Sequence, residues 1–179
     1  ENLNLPIFAK EIPIVRVYLI GYMASGKSWL GKELASATVL DFLDLDELFE
    51  SRYKVSILDF FEKTEPLFRK LERELLHETM DSDNLVISTG GGAPCYFDNM
   101  DIILKSGTSL YLRMEIPELI GRIKGIKKKR PLLKNVSSAR LEGYIRDQLV
   151  EREPYYLRAN YVFNGPDYSV ENIIKVLEL

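Results

Sequence analysis

Gly21-Tyr22-Met23-Ala24-Ser25-Gly26-Lys27-Ser28 decides the fold. It is a glycine, four residues and then Gly-Lys-Ser, set between an apolar β-branched run, Val15 to Ile20, and a helical pattern over Lys27 to Ser36. A strand running into such a turn and straight on into a helix makes a phosphate-binding loop. Backbone N–H groups must converge on phosphate oxygens, and glycine allows both the dihedrals and the close approach. The helix N-terminus adds partial positive charge at the same point. Lys27 is placed to meet the β- and γ-phosphates of a nucleoside triphosphate, and Ser28 a magnesium ion.

Outward from this loop the chain alternates. Val39 to Leu43 is a second strand, ending at the acids Asp44, Asp46 and Glu47, which suit a helix start. Ser56 to Met80 carries helical spacing in two helices that meet near Lys63 to Glu65, and its Phe and Leu positions from 58 to 76 read as core. Leu85 to Ser88, Thr108 to Arg113 and Tyr161 to Phe163 are further strands. Helical patterns cover roughly 97–104, 116–123, 138–157 and 169–178. Strand and helix in alternation predict an α/β fold, a three-layer αβα arrangement around a parallel sheet.

The chain has 179 residues, of which 46% are hydrophobic and 28% charged, as expected for one globular domain with a sizeable core. A net charge of −3 gives no global attraction to nucleic acid or to an anionic membrane. No apolar run is long enough to cross a bilayer. With one cysteine, Cys95, and one histidine, His77, there is neither an internal disulfide nor a Cys/His zinc set; both read as structural, and a reducing, cytoplasmic setting is expected. Residues 1–13 carry no secretory signal and read as an N-terminal extension, a processed end or an expression remnant, ahead of a domain over 14–179.

The phosphate loop serves GTPases, motors and kinases, so other motifs must choose among them. Asp44-Leu45-Asp46 follows the second strand, where an open α/β sheet places its ligands; one acid suits a metal's water shell and the other an acceptor hydroxyl. Arg69 and Glu72 share a helix face, which taken alone reads as an exposed salt bridge. Thr89-Gly90-Gly91-Gly92 offers unobstructed backbone N–H groups after the third strand. Arg122 to Lys134 holds seven basic residues and no acid, with the length and glycine of a lid able to bring cations over a γ-phosphate.

In this order, over nearly the whole chain from about residue 14, the motifs resemble the shikimate kinase family. The matching elements are Gly21 to Ser28, Asp44-Leu45-Asp46, Phe68-Arg69 with Glu72, Gly90-Gly91-Gly92, Arg130-Pro131-Leu132, and Arg152 before Pro154-Tyr155. The resemblance implies a five-stranded parallel sheet of order 2-3-1-4-5, a substrate-binding segment at about 45–80 and a lid at about 122–136. It implies ATP as co-substrate, shikimate as acceptor and Mg²⁺ as cofactor, in a monomer without nucleic-acid or membrane partners.

By the same resemblance Gly21, Ala24, Ser25, Gly26, Lys27, Ser28, Arg122 and Arg130 meet the nucleotide, and Ser28 and, through water, Asp44 meet the metal. Asp46, Arg69, Gly90, Gly91, Gly92 and Arg152 meet the substrate, with Glu72 holding Arg69; Lys27, Asp46 and Arg130 are the catalytic set. Ala24 stands where the family often has glycine, from which slightly altered nucleotide affinity is expected. Another small-metabolite or nucleotide kinase, such as a gluconate or monophosphate kinase, and a non-catalytic nucleotide switch are the competing readings.

Overall fold

A computed structural model describes residues 15–126, 133, 136–137, 139–165 and 168–179. Strands β1 (Arg16–Ile20), β2 (Asp41–Asp44), β3 (Leu85–Ser88), β4 (Thr108–Arg113) and β5 (Tyr161–Asn164) form one sheet in the order β2-β3-β1-β4-β5. Every pairing in it is parallel. Helices α1 (Lys27–Ala37), α2 (Leu45–Tyr53), α3 (Ile57–Lys63), α4 (Glu65–Glu78), α5 (Asn99–Ser106), α6 (Ile116–Ile126), α7 (Leu141–Tyr156) and α8 (Val170–Leu177) fill the connections.

Side chains alternate across a strand, and β1 divides the core accordingly. Val17 and Leu19 pack with Leu30 and Leu34 of α1, Ile123 of α6 and Ile173 of α8. Tyr18 and Ile20 face the other layer, with Phe49 of α2, Leu75 and Leu76 of α4 and Ile103 of α5. From Val17 to Ile20 β1 is therefore buried on both faces, as that apolar run requires. The order reverses at β1, and in such sheets ligands bind beyond the carboxyl ends of the strands at that point.

Three expectations need correction. Val39 is 95% exposed and precedes β2, which starts at Asp41, because the chain is still turning out of α1 there. Leu67 is 44% exposed rather than core: α4 turns Phe68, Leu75 and Leu76 inward, and Leu67 falls on its outer side. The helix expected over 116–123 continues to Ile126, so Arg122 and Lys124 stand on α6. Residues 1–14, and Arg130 with most of the expected lid, lie outside the described residues.

Candidate active site

The carboxyl ends of β1, β2 and β3 lie side by side, and the segments that leave them build the site. The β2–β3 register sets Asp44 against Ser88, and β1–β3 sets Leu19 against Ser88, so the phosphate loop, the acids and the glycine run start level with one another. In the loop Lys27 Nζ donates to the carbonyls of Gly21 and Tyr22, each at 2.9 Å, which holds the ammonium inside the curl. Gly21 (φ 142°) and Gly26 (φ 100°) take up backbone that side chains avoid.

Ala24 is left-handed as well, at φ 64°. An L-residue in this conformation costs about 1 kcal/mol or more, part of which glycine's larger unfolded-state entropy would offset. Ala24→Gly is expected to raise the thermal midpoint by about 1–3 °C in scanning calorimetry, the size of shift that well under 1 kcal/mol gives a domain of this length. A lowered midpoint would show that the alanine methyl stabilises the loop.

Asp44 ends β2 and caps α2. Its Oδ1 accepts from the backbone N–H groups of Asp46 (2.9 Å) and Glu47 (3.3 Å), while Oδ2 accepts from Ser28 Oγ at 2.5 Å. The cap leaves Oδ2 aimed at the loop. Ser28 and Asp44 thus offer two hard oxygens beside the phosphate pocket. That donor set fits magnesium, which takes one or two protein oxygens and completes its shell with phosphate and water.

Two pockets adjoin. One, of about 540 Å³, is lined by Ala24, Gly26, Lys27, Ser28, Asp44 and Thr89 among others. The second, of about 480 Å³, has an apolar wall of Ile57, Phe61 and Phe68 and a polar wall of Arg69, Glu72, Arg152 and Gly90 to Gly92. Met23, Asp46 and Gly91 line both. A carboxylate therefore stands where a polyphosphate pocket opens into a small pocket carrying two guanidinium groups. Gly21, Ser25 and Arg122 line neither. The Ser25 side chain is buried, and Arg122 Nη1 lies 3.4 Å from the Ala24 carbonyl, bracing the loop from outside.

The glycine run is required by close approach. A Cβ on Gly90 would stand 2.6 Å from Glu72 Oε1, and one on Gly92 2.8 Å from both Arg69 Nη atoms. Gly91 lies against the phosphate loop, where its Cβ would be 3.2 Å from the Met23 nitrogen. Three functional groups rest on three successive residues without side chains.

Arg69 and Glu72 are 5% and 4% exposed, so the pair is no surface salt bridge. Arg69 Nη1 donates to Glu72 Oε2 at 2.8 Å, and its Nε and Nη2 reach Glu65 Oε1 at 3.3 Å. The Tyr96 ring stacks on the guanidinium at 4.0 Å, and the Tyr96 hydroxyl donates to Glu65 Oε1. Burial pushes the Glu72 carboxyl up to about 7 despite the opposing Arg69 charge.

A carboxyl with a raised folded-state value binds more protons folded than unfolded between about 4.5 and 7, so its ionisation destabilises the fold as pH rises through that window. Relative to Glu72→Gln, the native chain is expected to lose stability from pH 5 to 7, by at most about 1.4 kcal/mol per pH unit, in paired denaturant titrations. A difference independent of pH would contradict the shift.

Sequence reasoning missed Glu65, Tyr96, Tyr156 and the pocket's apolar wall. The wall residues belong to a run whose helical spacing reads as core, and spacing alone cannot tell a wall from an interior. Tyr168 was also missed. It is buried, and its hydroxyl donates to the Ser25 carbonyl, which ties the loop to the segment ahead of α8. Cys95 sits behind the glycine run, its N–H donating to the Gly92 carbonyl at 2.9 Å, and burial pushes its thiol up to about 11. That makes it a poor nucleophile, in keeping with a structural role. His77 lies half-buried on α4.

A phosphate loop at a sheet's reversal point, opening through one carboxylate into a small cation-lined pocket, defines a P-loop phosphotransferase for a small acceptor. A shikimate kinase family profile matches residues 23–178. The shikimate kinase of Parabacteroides distasonis is 42% identical over 158 residues, covering 88% of this chain and 91% of that protein. That of Bacteroides thetaiotaomicron is 38% identical over 175 residues, covering 93% and 100%. A crystal structure of a Bacteroides thetaiotaomicron shikimate kinase superposes with a TM-score of 0.86 at 37% identity, covering 93% of this chain and 99% of that one. The Acinetobacter baumannii shikimate kinase, solved in complex with shikimate, gives 0.83 at 29% identity, covering 93% and 92%. The chain belongs to the shikimate kinase family.

Proposed function

We propose that the chain transfers the γ-phosphoryl group of ATP to the 3-hydroxyl of shikimate, giving shikimate 3-phosphate and ADP, a step toward chorismate and the aromatic amino acids. The observation that carries this reading is Asp46 on the seam between the two pockets. A triphosphate in the loop's pocket and a hydroxyl acid in the other would meet at that carboxylate. Family membership and a relative solved with shikimate support the choice of acceptor.

The backbone of the loop and Lys27 cradle the phosphates. Ser28 and, through water, Asp44 would hold Mg²⁺, which when bound supplies charge neutralisation across the transferring group. Arg69, held by Glu72 and Glu65, and Arg152 grip the acceptor carboxylate, while Gly90 to Gly92 present backbone to its ring hydroxyls. Asp46 orients the hydroxyl and takes its proton as the oxygen–phosphorus bond forms and the bond from the γ-phosphorus to the β–γ bridging oxygen breaks. Arg122 from α6 serves the nucleotide side, and Arg130, outside the described residues, is assigned to the transferring phosphate by family resemblance. Most of the rate comes from positioning and charge neutralisation. We further assign the protein to the cytoplasm as a monomer without nucleic-acid or membrane partners; among the described residues no helix is long and apolar enough to cross a membrane.

Coupled ADP release measured over shikimate, gluconate and nucleoside monophosphates tests the assignment. Turnover is expected with shikimate alone. Turnover only with a nucleotide acceptor, or ATP binding without acceptor-stimulated turnover, would overturn it.

A further inference from the structure

A guanidinium carries five N–H groups in one plane, and the contacts around Arg69 account for three of them. Nε and Nη2 each donate to Glu65 Oε1 at 3.3 Å, and Nη1 donates to Glu72 Oε2 at 2.8 Å. Among the described residues one N–H on each Nη is left without an acceptor. A Cβ on Gly92 would stand 2.8 Å from both Nη atoms and 3.1 Å from the carbon between them, so the edge joining the two Nη atoms faces the space that Gly92 leaves open. Arg69, Gly92 and Arg152 line the same pocket, and a carboxylate there can accept from both Nη atoms.

Acids at the edges fix the guanidinium's rotation within its plane; the tilt of that plane is set from its face. Tyr96 sets it. The ring centroid lies 4.0 Å from the guanidinium carbon, closer than the rings of Phe61 and Phe68 at 5.1 Å. The Tyr96 hydroxyl donates at 3.0 Å to Glu65 Oε1, the same oxygen that takes two Arg69 N–H groups. One tyrosine therefore holds both the face of the cation and the carboxylate on its edge. Tyr96 itself does not line the pocket.

A hydrogen-bonded turn joins Tyr96 to the glycine run. The Cys95 N–H donates to the Gly92 carbonyl at 2.9 Å, and Asn99, fully buried, donates from Nδ2 to the Ala93 carbonyl at 2.8 Å. The Tyr156 hydroxyl donates to the Gly91 carbonyl at 2.5 Å, which anchors the run to α7. Glu65 and Arg69 belong instead to α4, so their alignment with the run depends on contacts between the two segments. We propose that Tyr96 is a positioning residue that acts through Arg69: its ring and hydroxyl clasp the start of α4 to the glycine run and aim the unused Nη edge at the acceptor's carboxylate. The proposal rests on the reading of Arg69 as part of a carboxylate grip.

The test compares Tyr96→Phe, which keeps the ring and loses the hydroxyl, with Tyr96→Leu, which loses both, reading dissociation constants for shikimate, its uncharged carboxamide and ATP. The shikimate constant is expected to rise about 2–5-fold in the first and about 5–20-fold in the second, the worth of one hydrogen bond and then of a cation–π contact with it. The carboxamide and ATP constants should stay within about twofold in both, since neither ligand depends on the aim of that edge. In a Glu65→Ala background Tyr96→Phe should weaken shikimate no further, because a hydroxyl that acts through a partner has no effect once the partner is gone. Arg73 on α4 also clasps Asp98, two residues after Tyr96, with bonds of 2.7 and 3.1 Å, so the phenylalanine variant should stay folded. Its cycle with Glu65→Ala decides the question if the leucine variant melts below the assay temperature. Equal weakening of acid and amide, a shikimate constant that Tyr96→Phe leaves unchanged, or a full hydroxyl effect without Glu65 would overturn the proposal and leave Tyr96 as packing. If the native chain failed to prefer acid over amide, the carboxylate grip itself would fall; a native preference that Tyr96→Leu leaves intact would sink only the role of Tyr96.

Discussion

Asp46→Asn is expected to lower kcat for shikimate phosphorylation about 10²–10⁴-fold, the usual worth of a positioned general base, while ATP affinity stays the same or tightens. Asparagine keeps the size of the side chain and can still orient a hydroxyl. It cannot take the proton. The backbone N–H of Asp46 that Asp44 caps is untouched, so α2 should start as before. Asp46 also lines the phosphate pocket, and removing a negative charge beside a polyphosphate can only relieve repulsion. Stopped-flow or steady-state assays read kcat, and nucleotide titration reads ATP affinity; Trp29, the chain's one tryptophan, lines that pocket and is a convenient fluorophore. Unchanged turnover would remove Asp46 from the chemistry, and weakened ATP binding would show that it supports the loop instead.

The second large effect is expected at Arg152. Arg152→Ala should reduce kcat/KM for shikimate about 10²–10³-fold, mostly through KM, with KM for ATP nearly unchanged. Losing one partner of a buried, hydrogen-bonded charge pair costs about 2–5 kcal/mol, which spans that range. Arg152 is the cleaner site at which to ask. Truncating Arg69 would strand Glu72 in the interior without its cation, and the resulting loss of roughly 3–5 kcal/mol of stability would confound the kinetics. Arg152 has no salt-bridge partner among the described residues, and Glu72, which feels its charge more weakly than that of Arg69, keeps Arg69, so the variant should stay folded and report on the substrate. Equal losses in kcat/KM for shikimate and ATP would contradict a specific grip on the carboxylate.

Much of the frame was legible because it depends on local pattern. The Gly-x₄-Gly-Lys-Ser spacing, the apolar runs at Val15 to Ile20 and Leu85 to Ser88, and the acids after β2 each sit on a single element, and the alternation of elements predicts a parallel sheet; the strand order itself was implied by the family resemblance, not by any local pattern. Burial was less legible. Arg69 and Glu72 sit three residues apart whether α4 turns that face to water or to a pocket, and only the packing of Tyr96 and the glycine run across from α4 decides which. Glu65 and Tyr156 act through contacts between segments 31 and 65 residues apart in the chain, so no local spacing marks them. Val39 and Leu67 misled for the converse reason: an apolar residue at an element's edge or on its outer face fits the pattern without entering the core.

The position of phosphate in the product is the most direct readout of this chemistry. Incubating the chain with shikimate and ATP carrying a labelled γ-phosphate, and assigning the product by phosphorus–proton correlation NMR, reads donor and acceptor atoms together. Label on the shikimate 3-oxygen, formed in step with ADP, is the predicted result. Label released only as inorganic phosphate, or found on a nucleotide, would contradict it.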